Sequence, residues 1–122
     1  MSYGFVYILN NQVMPHIYKI GYTDKSPLQR CDELSSKTSV PVPYEVICYC
    51  ELWNAFELEQ SLHKRFESNR INDNREFFRL TYKDIFDIHN IMKEESTNFT
   101  CCQELDIILD LYLKQGDKNG MV

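Results

Sequence analysis

Basic charge is scarce in this chain, and so are long apolar runs, glycine and paired-cysteine motifs. Across 122 residues, 13 Lys and Arg stand against 18 Asp and Glu, a net charge of −5. That balance argues against a protein that grips nucleic acid by bulk electrostatics. No stretch approaches the roughly 20 apolar residues of a membrane-spanning helix. The start, Met1-Ser2-Tyr3-Gly4, lacks the basic region and apolar run of a secretory signal. Neither a membrane partner nor secretion is expected; the cytoplasm is, or the nucleus in a eukaryotic cell. The five cysteines, Cys31, Cys48, Cys50, Cys101 and Cys102, show no CxxC spacing, so a zinc site is not indicated. They read as small buried hydrophobes in a reducing compartment. No internal repeat or low-complexity segment is visible.

Aromatic bulk is abundant, with eight Tyr and seven Phe, enough for one real core in a chain of one domain's length. A first strand reads Gly4 to Asn10, β-branched and aromatic, closed by Asn10-Asn11 turn chemistry. A second, Ile17 to Thr23, follows soon enough to form a hairpin with it. Ser26-Pro27 reads as an N-cap with Pro in the first helical position, and Leu28, Cys31 and Leu34 would make that helix's apolar face. Pro41 and Pro43 set up a third strand, Tyr44 to Trp53, apolar on both faces in its middle and so suited to an interior position. Asn54 is placed to cap a second helix from Ala55 to about Glu67. Glu76 to Leu80 is a short apolar run, strand or loop.

Thr81 with Asp84 predicts the cap of a third helix built on Ile85, Ile88 and Met92. Thr100 with Gln103 has the form of a capping box for a fourth, carrying Leu105, Ile108, Leu109, Tyr112 and Leu113 and ending at Gly116. These stripes are regular enough to pack on the rest of the chain or on a second copy of it, as a homodimer. The organisation expected is a domain over residues 1–80, a helical extension over 81–115 and a loose tail over 116–122. Most of the excess acid falls after residue 80. Residues 64–79 hold five basic side chains (Lys64, Arg65, Arg70, Arg75, Arg79) against three acids, so any nucleic-acid face belongs to the first 80 residues.

The second helix carries the sharpest signal. At 100° per residue, Ala55, Leu58, Leu62 and Phe66 define a buried stripe. Glu59 and His63, four apart, stack at its edge or inside it. A carboxylate there must be paired, metal-bound or protonated. An ion pair with a nearby Arg and a hydrogen-bonded core histidine would satisfy the pattern as well as a catalytic pair would. In the hairpin, Tyr7 and Lys19 come near each other. A tyrosine beside a cation can have a lowered pKa and act as a general base, and a lysine there can hold phosphate as a point charge. A cross-strand cation–aromatic contact would look the same.

Taken together, Val6-Tyr7-Ile8, Tyr18-Lys19-Ile20-Gly21-Tyr22-Thr23, Arg30, Glu59, His63 and Glu76-Phe77-Phe78 resemble the GIY-YIG nuclease superfamily over residues 3–80. The likeness is closest to its branch with KIG in place of YIG, which includes phage open reading frames described as DNA-binding domains and the meiotically up-regulated type of eukaryotic protein. The resemblance implies a small α/β (α+β) domain, a three-stranded antiparallel sheet flanked by helices, here with two extra C-terminal helices. It implies phosphodiester hydrolysis with a single divalent ion, Mg²⁺ or Mn²⁺. In that reading Tyr7 is the base for water, Arg30 stabilises charge on the phosphate and Glu59 holds the metal. His63 orients water or contacts phosphate, and Lys19 takes the place of the second tyrosine. Tyr18, Tyr22, Lys64 and Arg70 would contact substrate.

The function expected is a metal-dependent endonuclease acting on nucleic acid, DNA rather than RNA. The alternative is a catalytically silent nucleic-acid-binding or protein-interaction module on the same scaffold, since Lys19 replaces a catalytic tyrosine and the chain is acidic.

Overall fold

The computed structural model describes residues 3–37, 41–72 and 76–120, with the side chains of 103, 104 and 115–120 left aside. The fold is α+β: an antiparallel five-stranded sheet with four α-helices. The strands are β1 Gly4–Asn10, β2 Ile17–Thr23, β3 Glu45–Leu52, β4 Phe77–Arg79 and β5 Asn98–Cys101. The helices are α1 Pro27–Ser35, α2 Ala55–Arg65, α3 Tyr82–Glu95 and α4 Gln103–Gly120. Strand order is β4-β2-β1-β3-β5.

The expected three strands form the sheet's middle, and two short edge strands extend it. The apolar run at residues 76–80 supplies β4, which pairs with Ile17–Lys19. β5 pairs with Cys48–Glu51; its polar–apolar alternation, Asn-Phe-Thr-Cys, lasts only four residues and overlaps the Thr100–Gln103 capping pattern. Thr100 lies inside β5 opposite Tyr49, so it is not a helix cap. The first turn of α4 closes instead on the Cys102 carbonyl, which accepts from the Leu105 and Asp106 amides. α4 then runs past Gly116 to Gly120, so Gly116 is not its C-cap.

Local rules held elsewhere in part. Thr81 and Asp84 form a reciprocal capping box on α3. Pro27 opens α1, but the Ser26 side chain makes no cap bond. Asn54 does not cap α2 with its side chain; it sits at φ 66°, a left-handed conformation that Asn tolerates, and offers its carbonyl to Leu58. Leu28 was expected on the buried face of α1 but is 61% exposed; that short helix buries only Pro27 and Cys31.

The pleat sorts the strands onto two faces. On one, Val6, Ile8, Tyr18, Ile20, Cys48 and Cys50 pack with Leu58 and Leu62 of α2, Ile85, Ile88 and Met92 of α3, and Leu105 of α4 in one cluster. On the other, Tyr7 and Leu9 pack with Cys31 of α1, joined by Leu34, Tyr44, Val46 and Tyr49. The helices after residue 80 thus complete the main core, on the sheet face opposite α1. Most of the α4 stripe is used: Leu105 is buried, Ile108, Leu109 and Tyr112 are half-buried, with Tyr112 against Phe86 of α3, while Leu113 is exposed. Cys31, Cys48 and Cys50 are buried and Cys101 is exposed; all five thiols are free. Among the described residues, no helix is long and apolar enough to cross a membrane.

This division predicts unequal stability effects. Ile88→Ala, at a fully enclosed site, should cost about 2–5 kcal/mol, whereas Leu113→Ala should stay within about 0.5 kcal/mol. Urea unfolding of the two variants checks it; equal costs would place α3 outside the core.

Candidate active site

The site begins with a register. Tyr7 on β1 stands directly opposite Gly21 on β2, and Leu9 opposite Lys19. Tyr7, Lys19 and Gly21 therefore share the α1 face. A side-chain carbon at Gly21 would overlap the ring and hydroxyl of Tyr7, so the tyrosine lies across the neighbouring strand and only glycine admits it. There the hydroxyl meets the Arg30 guanidinium from α1. Arg30 also donates to Glu33 at 3.1 Å.

α2 reaches the same place from the sheet edge. The Ile20 amide donates to the Glu76 carbonyl at 3.1 Å, and the Ile20 carbonyl accepts from His63 Nε2 at 2.7 Å. Both groups of Ile20 thus point outward from β1, just past the end of the β4 ladder. A carbonyl only accepts, so Nε2 carries the proton. The ring also lies 5.1 Å from that of Phe78. His63 thereby satisfies the free edge of β2, and only Nδ1 remains for other work.

Glu59, one helical turn earlier on the same face, is 3% exposed. Gln60 Nε2 donates to its Oε1 at 2.6 Å. Among the described residues no Lys, Arg or His lies within 4.0 Å of this carboxylate, so the arginine partner weighed above is not found. Burial raises its pKa; Gln60 opposes this, Glu76 adds to it, and His63 and Lys19 pull it down.

Lys19 has a fixed partner, Glu76 Oε2 at 2.7 Å, and its side chain is 11% exposed. Its Nζ also lies 5.5 Å from the centre of the Phe77 ring. The lowered tyrosine pKa expected for Tyr7 is not found. Burial pushes the phenol up to about 12, Arg30 lowers it, and the charges of Glu76 and Glu59 raise it further. In this state Tyr7 is a neutral hydroxyl at physiological pH.

Tyr7, Arg30, Lys19, Glu59, His63 and Glu76 thus form one electrostatically connected cluster. Lys64 and Arg70 lie beside it, lining an open cavity of about 520 Å³ with Gln60, His63 and Glu67. The two remaining tyrosines are not brought in. Tyr18 is buried in the main core and Tyr22 packs against that core beside Phe56, both on the sheet face opposite Tyr7. Glu76 and Gly21 carry no role in the sequence reading, although both lie within the motifs that carry the resemblance.

A model of the T5orf172 domain matches residues 4–93. The chain belongs to the T5orf172 domain family. That family is related to GIY-YIG domains. The T5orf172 match continues past residue 80 into α3, in keeping with the burial of Ile85, Ile88 and Met92 in the main core. No curated protein and no solved structure matches the chain.

Two predictions follow from this T5orf172 site. Gly21→Ala forces the Tyr7 ring out of its seat and should cost about 1–3 kcal/mol; thermal unfolding together with tyrosine fluorescence reads both effects, and an unchanged protein would mean the ring does not rest there. The second concerns pH. Because burial raises the Glu59 pKa above its ordinary 4.5, the folded state holds this proton more tightly than the unfolded state. Its contribution to stability is complete below the unfolded value and is lost as pH rises through the folded one. Glu59→Gln mimics the protonated form. Its Tm should exceed the parent's near about pH 7 and match it near about pH 4. A lower Tm at neutral pH would reveal a cationic partner.

Proposed function

We propose that this T5orf172 domain is a metal-dependent phosphodiesterase of the GIY-YIG kind and of its KIG branch, acting as an endonuclease on nucleic acid, DNA rather than RNA. The observation that supports it best is Glu59, a buried carboxylate that among the described residues has no cation within 4.0 Å, beside the Tyr7–Arg30 pair. Structural carboxylates at such depth are normally paired, so a missing positive charge is the simplest account of this one.

A hydrated divalent ion fits that position. Mg²⁺ or Mn²⁺ would be held there by one carboxylate and several retained waters. When bound, the ion supplies Lewis-acid charge to a phosphodiester oxygen. The chain's own residues do the rest. Arg30 places positive charge where the phosphate gains negative charge. Tyr7 hydrogen-bonds the attacking water; once added positive charge lowers the phenol's pKa it releases its own proton to solvent, and the phenolate then accepts the proton of the water. Lys19 holds a phosphate oxygen as a cation, and Lys64 and Arg70 line the route by which a strand would approach.

One observation favours the silent-module reading. Tyr7 is protonated and Lys19 is engaged with Glu76, a state suited to binding without turnover.

Incubation of labelled DNA with Mg²⁺ or Mn²⁺ separates the two. The parent should nick or cut; Glu59→Gln should lose at least about a hundredfold in rate while still binding, and Arg30→Ala should lose both, with the larger loss in rate. Since Glu59→Gln is expected to be at least as stable as the parent at neutral pH, its inactivity would not reflect misfolding. Binding by both proteins with cleavage by neither would establish the silent module.

A further inference from the structure

The α1 face of the sheet continues beyond Lys19 into an apolar cavity of about 270 Å³, lined by Met14, Ile17, Tyr44, Ile71, Asn72 and Phe77. Ile17 and Lys19 are two residues apart on β2 and share this face, about 7 Å along the strand. Phe77 is the Cα partner of Lys19 in the β2–β4 ladder. Its ring is shared between the two places: it takes the Lys19 ammonium at 5.5 Å from its centre and also forms a wall of the cavity. Tyr44 forms the other aromatic wall, its ring 6.1 Å from that of Phe77 and tilted by 31°. Ile17, Tyr44 and Phe77 are all half-buried, and Ile71 is 48% exposed. A cation and an aromatic-walled cleft therefore adjoin, one strand step apart.

We infer that this cleft is a nucleobase subsite, which receives one unstacked base of a single strand whose phosphate lies at Lys19. The inference rests on the nucleic-acid reading above and adds a substrate class to it. Three features select this occupant. Beside the cleft stands the Lys19 ammonium, which Glu76 Oε2 holds at 2.7 Å; a phosphate that exchanges with that carboxylate suits a ligand anionic at one end and flat and apolar at the other. The lining offers two aromatic rings, aliphatic side chains and one amide rather than a set of charged groups, which suits stacking on any base and little sequence readout. The separation from Lys19 is short, so a base and its own phosphate span it. A base inside an intact duplex is stacked on both sides and cannot enter; the cleft thus favours single strands, flaps or distorted junctions over uniform duplex.

The test compares three labelled ligands of equal length in EDTA, which prevents cleavage, by fluorescence anisotropy: a homothymidine strand, a fully abasic deoxyribose-phosphate chain, and a duplex. The parent should bind homothymidine about tenfold or more tightly than either of the others, the loss expected for one stacked base. Tyr44→Ala should remove most of that preference while leaving affinity for the abasic chain and the duplex unchanged. The comparison in the parent needs no variant, so a failure of Tyr44→Ala to fold leaves the test intact. Equal affinity for homothymidine and the abasic chain would overturn the base subsite and leave the phosphodiester reading standing. Binding of none of the three would overturn that reading and the subsite with it.

Discussion

The site depends on one close approach, Tyr7 lying across Gly21. The β1–β2 register brings the two residues face to face, and the missing side chain on β2 lets the phenol cross the strand instead of standing away from the sheet. From that position the hydroxyl reaches Arg30 of α1 on one side and feels the charge of Glu59 of α2 on the other. Two helices that share no core cluster are therefore linked through one aromatic ring. A residue larger than glycine would separate them without altering the rest of the sheet.

Charge in the cluster is arranged in unequal pairs. Lys19 has Glu76 at ion-pair distance, and Arg30 has Glu33. Glu59 has, among the described residues, only the Gln60 amide. Among the described residues the excess is one buried negative charge, which burial disfavours and Glu76 disfavours further. Burial keeps the Tyr7 phenol protonated, and the charges of Glu76 and Glu59 add to that. A divalent ion at Glu59 would address both at once, and this joint dependence is the strongest physical argument for a metal-assisted reaction.

Most of the sheet was readable from the sequence because its middle strands carry their own pattern. β1 and β2 follow the β-branched and aromatic runs residue for residue, and the apolar middle of β3 reflects its place between β1 and β5. β5 was not readable, since the alternation of Asn98–Cys101 is only four residues long and its pairing depends on the free edge of β3. Thr100 misled because a capping pattern cannot tell a helix start from a strand just before one. In the site, the 3.6-residue period placed Glu59 and His63 on the buried face. It could not reveal that His63 Nε2 serves the β2 edge, because that edge is exposed only where β4 stops. Nor could it show that Tyr18 faces away from Tyr7; the pleat decides that, and the motif's spelling does not. The phenol's pKa depends on depth and three neighbouring charges, none of which has a sequence signature.

The central claim is that Glu59 is a buried carboxylate awaiting a cation. Its carboxyl carbon can be followed by NMR through a pH titration, first without divalent ions and then with Mg²⁺. The account predicts a midpoint above the ordinary glutamate value in the metal-free protein, falling when Mg²⁺ is added. A midpoint at or below the ordinary value without metal, or one that Mg²⁺ leaves unmoved, would contradict it.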